Sequence, residues 1–335
     1  MNAVRLLAVT VLLALAATWP LGAASVVIKL GTVVPDGSVW HKVLRQLGAD
    51  WRKETQGRVT LQVYAGGTQG TETAMIKRMN FNQLQAASFS AIGLAGIDDA
   101  FNVFSIPMFY ESYDELNHVI EKLTPALDAR LQARRFRRLN WGHGGWVYVF
   151  SKRPVKTIDD VKKLRLFTSA GDDRTVQWYK DNGFNPVPLA VSDMMTSLQT
   201  GMVEAIPVTP LSALAFQWYQ QTPYMLDVGL APLVGATLIT ERAWDRIDAA
   251  DQASMLEGAA RAEAQLFTDV PRQDEEALDQ MTARSLKVTK SVSGSWREVG
   301  EQFARTQRGT FVPADIYDQA VRERNAFRAS RGGER

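Results

Sequence analysis

The 335-residue chain has no cysteine, only three histidines, and almost no net charge. Without cysteine there is no disulfide, no thiolate metal ligand and no lipid-modified leader cysteine, although an exported compartment would permit a disulfide. The histidines are His41, His118 and His143. His118 has Asp114, Glu115 and Glu121 at helical spacing, but no second histidine lies near any of the three. Zinc and other transition-metal sites are therefore not expected, and neither is a cofactor. Lys and Arg number 38 against 36 Asp and Glu. A balance this close gives no electrostatic case for nucleic acid or an anionic membrane. A GxSxG elbow is also missing, so the hydrolase reading lacks its nucleophile signature. AGGTQG (65–70) could cradle an anion with backbone N–H groups, but it lacks the Gly-Lys-Ser/Thr ending of a P-loop. WGHGGW (141–146) is glycine-dense without dinucleotide spacing and reads as a tight bend beneath Trp141 and Trp146.

What is there begins with a leader. MNAVRLLAVTVLLALAATWPLGAAS sets Arg5 before an apolar run from Leu6 to Ala17, followed by Gly22-Ala23-Ala24. That is the pattern of a secretory signal peptide cleaved after Ala24, and the run is short for a membrane span. The expected product is a soluble periplasmic protein. Its length of about 310 residues exceeds one comfortable core and points to two domains.

Along the mature chain, strand-like and helix-like stretches alternate. VVIKLGTV (26–33), VTLQVYA (59–65), LQAASFSA (84–91) and WVYVFSK (146–152) read as strands. Gly37-Ser38 open a helix that buries Val43, Leu44, Leu47 and Trp51, and Gly57 closes it. From Ser112 a second stripe runs through Leu116, Val119, Ile120, Leu123, Leu127 and Leu131, with Thr124-Pro125 as a cap and restart. Arg134, Arg135, Arg137 and Arg138 read as a solvated helix end. From Thr240 the chain is almost entirely helical, with Asp248 as an N-cap. This pacing predicts doubly wound parallel sheets, with WVYVF and VGATLIT as crossings and a cleft beyond the strand ends. Trp40, Trp146, Phe167, Trp218 and Tyr219 are candidate apolar walls of that cleft. Glu72, Ser88, Ser90, Thr168, Asp172, Asp193 and Thr209 are candidate polar partners. For any single aromatic, core packing is the better reading, and Asp172 and Asp173 more often cap the following helix.

Several segments together resemble the solute-binding subunit of TRAP (tripartite ATP-independent periplasmic) transporters, DctP type. They are IKLGTVVPDGSVWHK, GRVTLQVYAGGTQG, IPMFY, FSKRPVKTIDDVKKLRL, GFNPVPLAVSDMMTSLQTGMVEAIPVTPLSAL and VGATLITERAWDRI, spread over residues 26–270. The resemblance implies a two-domain α/β fold like that of periplasmic binding proteins (type II-like cluster), with a central cleft, strand crossovers and a long domain-spanning helix. The corresponding division is 1–24 leader, 25–147 with 237–272 as domain I, 148–236 with 273–325 as domain II, and 326–335 as a disordered basic tail. It also implies a binding protein, not an enzyme, that hands a small solute to the small and large membrane subunits of a permease. A monomer is expected, with pairing through a long C-terminal helix as the alternative.

Most members of this family bind an organic acid through an arginine on the strand after SKRP and an asparagine after LQTG. Here the arginine position falls on Phe167, the asparagine position on Val208, and an upstream arginine position near Val147. Arg165, two residues before Phe167, is the candidate relocated anchor. Burying a carboxylate against Phe and Val costs several kcal/mol unless other donors replace the lost bonds. The expected ligand is therefore neutral, aromatic or amine-bearing, packed on Phe167 and Trp146 and held by Asp172, Asp193 or Glu72. The alternatives are an acid gripped by other donors (Arg78, the AGGTQG amides, a water or a metal ion), an exported sensor, or an enzyme using Glu72 with His41 or the Asp172/Asp173 pair.

Overall fold

The computed structural model of the protein describes residues 25–171, 173–291 and 295–332. The leader and Asp172 lie outside the described residues. Ten strands form two sheets: β1 (Val26–Thr32), β2 (Val59–Tyr64), β3 (Ala86–Ser90), β4 (Phe136–Ser151), β5 (Arg165–Ser169), β6 (Asn185–Leu189), β7 (Ala205–Val208), β8 (Tyr224–Leu226), β9 (Ala231–Thr240) and β10 (Lys287–Thr289). The first sheet runs β2-β1-β3-β9-β4 and the second β4-β7-β5-β6, with β8 and β10 at its side. β1 is parallel to β2 and β3, and β5 is parallel to β6 and β7, while β9 and β4 run antiparallel to their neighbours. The doubly wound expectation holds within each sheet.

β4 belongs to both sheets. It pairs with β9 as far as Val147 and with β7 from Tyr148 onward. The predicted crossing at WVYVF is therefore present. VGATLIT, in contrast, stays in the first sheet, because every β9 partner lies on β3 or on the first part of β4. The bend expected at WGHGGW is a bulge inside one continuous strand, with a register shift between His143 and Trp146 and Gly145 at φ +100°.

The helices form where their stripes and caps predict. Ser38 accepts the His41 N–H at the start of helix Val39–Glu54, which buries Val43, Leu44, Leu47 and Trp51. Helix Tyr113–Ala133 buries all six residues of its predicted stripe. It runs straight through Pro125 without the expected restart, and the Thr124 hydroxyl donates to the Ile120 carbonyl just before the proline. Arg138 is mostly buried rather than solvated, held by Asp128 at 2.9 Å.

Helix Ala249–Arg284 joins the two halves. Its 36 residues span about 54 Å at 1.5 Å per residue. Met255, Ala259 and Ala262 pack against Leu47 and Trp51 beside the first sheet, whereas Leu278 and Met281 pack with Phe150 and Met194 beside the second.

The closing helices depart from expectation. Ala304, Ile316 and Ala320 pack in the core that contains helix Tyr113–Ala133, beside the first sheet, while Trp296 at the start of helix Ser295–Gln307 packs with Leu164 and Leu166 beside the second. Residues 326–332 of the tail expected to be disordered are part of helix Ala314–Gly332, and 333–335 lie outside the described residues. Its basic residues find acidic partners in the first turn of helix Tyr113–Ala133: Arg328 grips Glu115 at 2.7 Å and Arg331 meets Asp114 at 2.8 Å. Among the described residues, no helix is long and apolar enough to cross a membrane.

Candidate functional site

A cavity of about 800 Å³ lies between the two sheets at the carboxyl ends of the strands. It falls where ligands bind in open α/β sheets and has the size of a small-molecule site. The loop Gly66–Gly70 after β2 and the end of β3 at Ser88 and Ser90 bound one side. Phe167 and Ser169 of β5, with Val208 and Thr209 after β7, bound the other. Trp40 closes the back, its indole N–H donating to the His143 carbonyl at 2.8 Å.

Of the residues predicted from sequence, Trp40, Glu72, Ser88, Ser90, Phe167, Val208, Thr209 and Trp218 line this cavity. Four others do not. Trp146 stands on the opposite face of β4, against Tyr113, because the Gly144–Gly145 bulge moves the alternation by one residue and turns Val147 inward. Thr168 sits between two wall residues of β5 and so points to the other face, where it is 4% exposed. Asp193 is exposed on a 3₁₀ turn and bonds its neighbour Ser192. Arg165 opens β5 at the end away from the cavity, and its guanidinium donates to the Gly201 carbonyl at 2.6 Å and pairs with Glu204. It is not a relocated anchor.

Glu72 reaches the site but is already engaged. It accepts the Ser90 N–H at 2.6 Å and the Ser90 hydroxyl at 2.8 Å, tying helix Glu72–Asn80 to the end of β3. His41 bonds Asp36 and the Gly37 amide instead of Glu72, so that acid–base pair is not assembled. Arg78 meets Gln69 and stays outside the wall. Among the residues with described side chains, no Lys or Arg lines the cavity. The cationic fork that would fix a carboxylate is missing there. Tyr219 is core, bonded by Arg284.

The family of bacterial extracellular solute-binding proteins, family 7 (DctP), matches residues 30–308. The chain belongs to this family. Its relatives include the sialic acid-binding periplasmic protein of Vibrio cholerae, 24% identical over 235 residues that cover 68% of this chain and 72% of that one. Among solved structures, it superposes on a Bordetella pertussis extracytoplasmic solute receptor binding pyroglutamic acid with TM-score 0.83 and 17% identity. That match covers 90% of this chain and 100% of the other. A TRAP periplasmic solute-binding protein of Chromohalobacter salexigens with bound D-glucuronate gives TM-score 0.80 at 19% identity, covering 89% and 99%. The architecture is therefore that of TRAP periplasmic receptors, two lobes around a cleft.

For a family 7 protein, the wall residues that sequence reasoning overlooked are mostly small or aromatic. Phe216 stacks on Trp218 at 4.3 Å with the rings 7° from parallel, and Ser169, Ser192 and Ser212 add hydroxyls. Asn102 also lines the wall, from a 3₁₀ segment whose sequence DAFNVFS carries no periodic signal. The stacked pair was legible only as the spacing FQW, which in a helix or extended strand would not stack its outer residues. Gln217 at φ +60° makes the fold-back.

The cavity mouth is bridged. The Thr73 hydroxyl, on the helix after the glycine loop, donates to the Gly171 carbonyl after β5 at 3.3 Å. Gly171 has φ +88°, and a Cβ there would meet the Thr73 hydroxyl at 3.1 Å. Gly171→Ala is thus expected to weaken solute binding about three- to tenfold through the lost hydrogen bond, and to lower stability by about 1–2 kcal/mol through left-handed strain. Calorimetric titration with any bound solute checks this, and unchanged affinity would remove the bridge from the account.

Proposed function

We propose that this protein is the periplasmic receptor of a TRAP-type secondary transporter. It captures one small solute between its two lobes, which divide at Val147/Tyr148, and delivers it to the membrane subunits of a permease. It carries out no catalysis. The solute is neutral, aromatic or amine-bearing. The observation that carries this reading is the wall itself: Phe167 and Val208 with the stacked Phe216 and Trp218, carboxylates at Glu72, Asp99 and Asp173, and no described cationic side chain. Aromatic pairs of this kind contribute through area and ring stacking. Asp172, beside Asp173 in sequence, remains a candidate partner for an amine.

An organic acid is the second reading, favoured by the relatives above, whose ligands are sialic acid, pyroglutamic acid and D-glucuronate. In this cavity its carboxylate would fall to the amides of Gly66, Gly67 and Gly70 and to the Ser and Thr hydroxyls of the wall. A thermal-shift screen of residues 25–335 separates the two. One panel holds organic and keto acids, the other aromatic, amine-bearing and neutral solutes. A solute that binds only the folded state raises the melting temperature with concentration, by about 2.7 kcal/mol of stability at a hundred times Kd. Stabilisation confined to the second panel supports the proposal. Stabilisation confined to the acids replaces it with the second reading.

A further inference from the structure

Asp274 sits two-thirds of the way along the long helix and is only 6% exposed. Its carboxylate accepts two backbone bonds from two different elements. The Trp146 N–H on β4 donates to one oxygen at 3.0 Å, and the Leu211 N–H in helix Pro210–Ala215 donates to the other at 2.9 Å. Each of these amides neighbours the cavity wall. Val147, the inward residue of the crossing strand, follows Trp146, and Ser212 follows Leu211. Thr209 caps the same short helix by accepting the Ser212 N–H at 3.2 Å, so two wall hydroxyls move with the Leu211 amide. The place where β4 leaves one sheet for the other is thus hydrogen-bonded to the long helix through the Asp274 carboxylate.

Gly145 shows how closely the carboxylate fits. A Cβ at this residue, which has φ +100°, would lie 2.7 Å from an Asp274 carboxylate oxygen. The bulge brings glycine to the one spot where a side chain would eject the acid. No cation accounts for the burial. Loss of hydration pushes the Asp274 carboxyl up from 3.8 to about 6, and only the two amides work against it. Tyr113 from helix Tyr113–Ala133 and Tyr148 from β4 face it, both raised by burial and then by the Asp274 charge, so both stay neutral. On its own helix Arg272 is turned to Glu276 and Asp269. Nearby on β4, His143 is pushed down to about 4 by burial and is neutral above that.

We propose that Asp274 is the pin of the cleft, a positioning residue whose carboxylate holds the crossing strand and the Thr209–Ser212 wall in register, so that solute affinity requires its ionised form. This rests on the receptor function proposed above. A proton on either oxygen weakens that oxygen as an acceptor for Trp146 or Leu211 and loosens one of the two ties. The pin is tight above pH about 6 and loosens below it.

Hydrogen–deuterium exchange at the Trp146 and Leu211 amides, corrected for intrinsic rates, tests the pin without any ligand. Between pH 7.5 and 5 the native protein should lose protection at one or both amides by about three- to tenfold, the weight of one hydrogen bond. Asp274→Asn, with one acceptor oxygen and one N–H₂ facing two donors, should show one unprotected amide at every pH. The native pH series decides alone if the variant does not fold. In a second arm, a solute from the thermal-shift screen with no ionisation between pH 5 and 7.5 should bind about three- to tenfold more weakly at pH 5 to the native protein, and equally at both pH values to Asp274→Asn. Amide protection that does not change with pH, or a solute affinity that does not, overturns the pin. A screen with no hits counts against the receptor reading instead, and the exchange arm still decides whether the pin exists.

Discussion

Replacing Phe167 with alanine should lower the unfolding free energy by about 3 kcal/mol and abolish stabilisation by the native solute. The ring is 8% exposed and packs with Phe150, Met194, Leu198 and Trp218 on one side while its edge borders the cavity. Its cost therefore belongs at the low end for a buried Phe, because water from the cavity can occupy part of the space. Phe167→Leu keeps most of the volume and should cost less than about 1.5 kcal/mol. Urea unfolding separates these stability terms from binding, which the thermal-shift response of each folded variant reports. If Phe167→Ala still responds to the native solute with undiminished affinity, the ring is core and not floor. A sharper form is the double change Phe167→Arg with Val208→Asn, which restores the residue types expected of an acid-binding relative. A bidentate charge-assisted pair on a carboxylate is worth about 1.5–3 kcal/mol, a gain of roughly ten- to a hundredfold in acid affinity. No gain in a variant that melts like the native protein would mean that the clamp positions were misassigned.

Much of this was readable before the structure, and the pattern of hits has a physical cause. Helix stripes such as Leu116 to Leu131 and caps such as Ser38 and Ser112 are local signals, so they survived folding unchanged. The Phe167 and Val208 positions came from the resemblance to the family's segment pattern, and both residues line the cavity. Trp146 failed because WGHGGW reads as a bend ahead of a strand that begins at Trp146, whereas it is a bulge inside one continuous strand, and that shift decides which face Trp146 takes. Arg165 failed because facing the same side of a strand does not mean reaching the same depth. It stands at the opposite end of β5, next to Gly201.

The tail and Asp274 were illegible for a different reason. Arg328 and Arg331 look like a solvated run until the acidic first turn of a helix more than two hundred residues away is placed beneath them. Asp274 reads as one of many acids on an amphipathic helix. Nothing local marks it as buried, because its partners are backbone amides supplied by a distant strand and a distant short helix.

That burial has a consequence for stability that runs opposite to its consequence for binding. The Asp274 carboxyl in the folded chain sits near 6, above the ordinary 3.8. Between those values the folded state holds more protons than the unfolded one, so this group's contribution to stability is fully present below about pH 3.8 and is lost as pH rises through 6. A shift of about two units corresponds to about 3 kcal/mol. Asp274→Asn does not titrate, so its unfolding free energy relative to the native protein should rise by about 3 kcal/mol between pH 4 and pH 7.5. Every other titrating group is shared by the two proteins and cancels in the difference. Paired urea unfolding curves at the two pH values give the number, and curves that keep a constant separation would show that Asp274 is not charged at cost. A rising separation would mean that the ionised carboxylate costs the fold stability that the protonated form does not. In a receptor that opens and closes, the side chain that costs the resting fold is then the one that holds the crossing strand where the solute needs it.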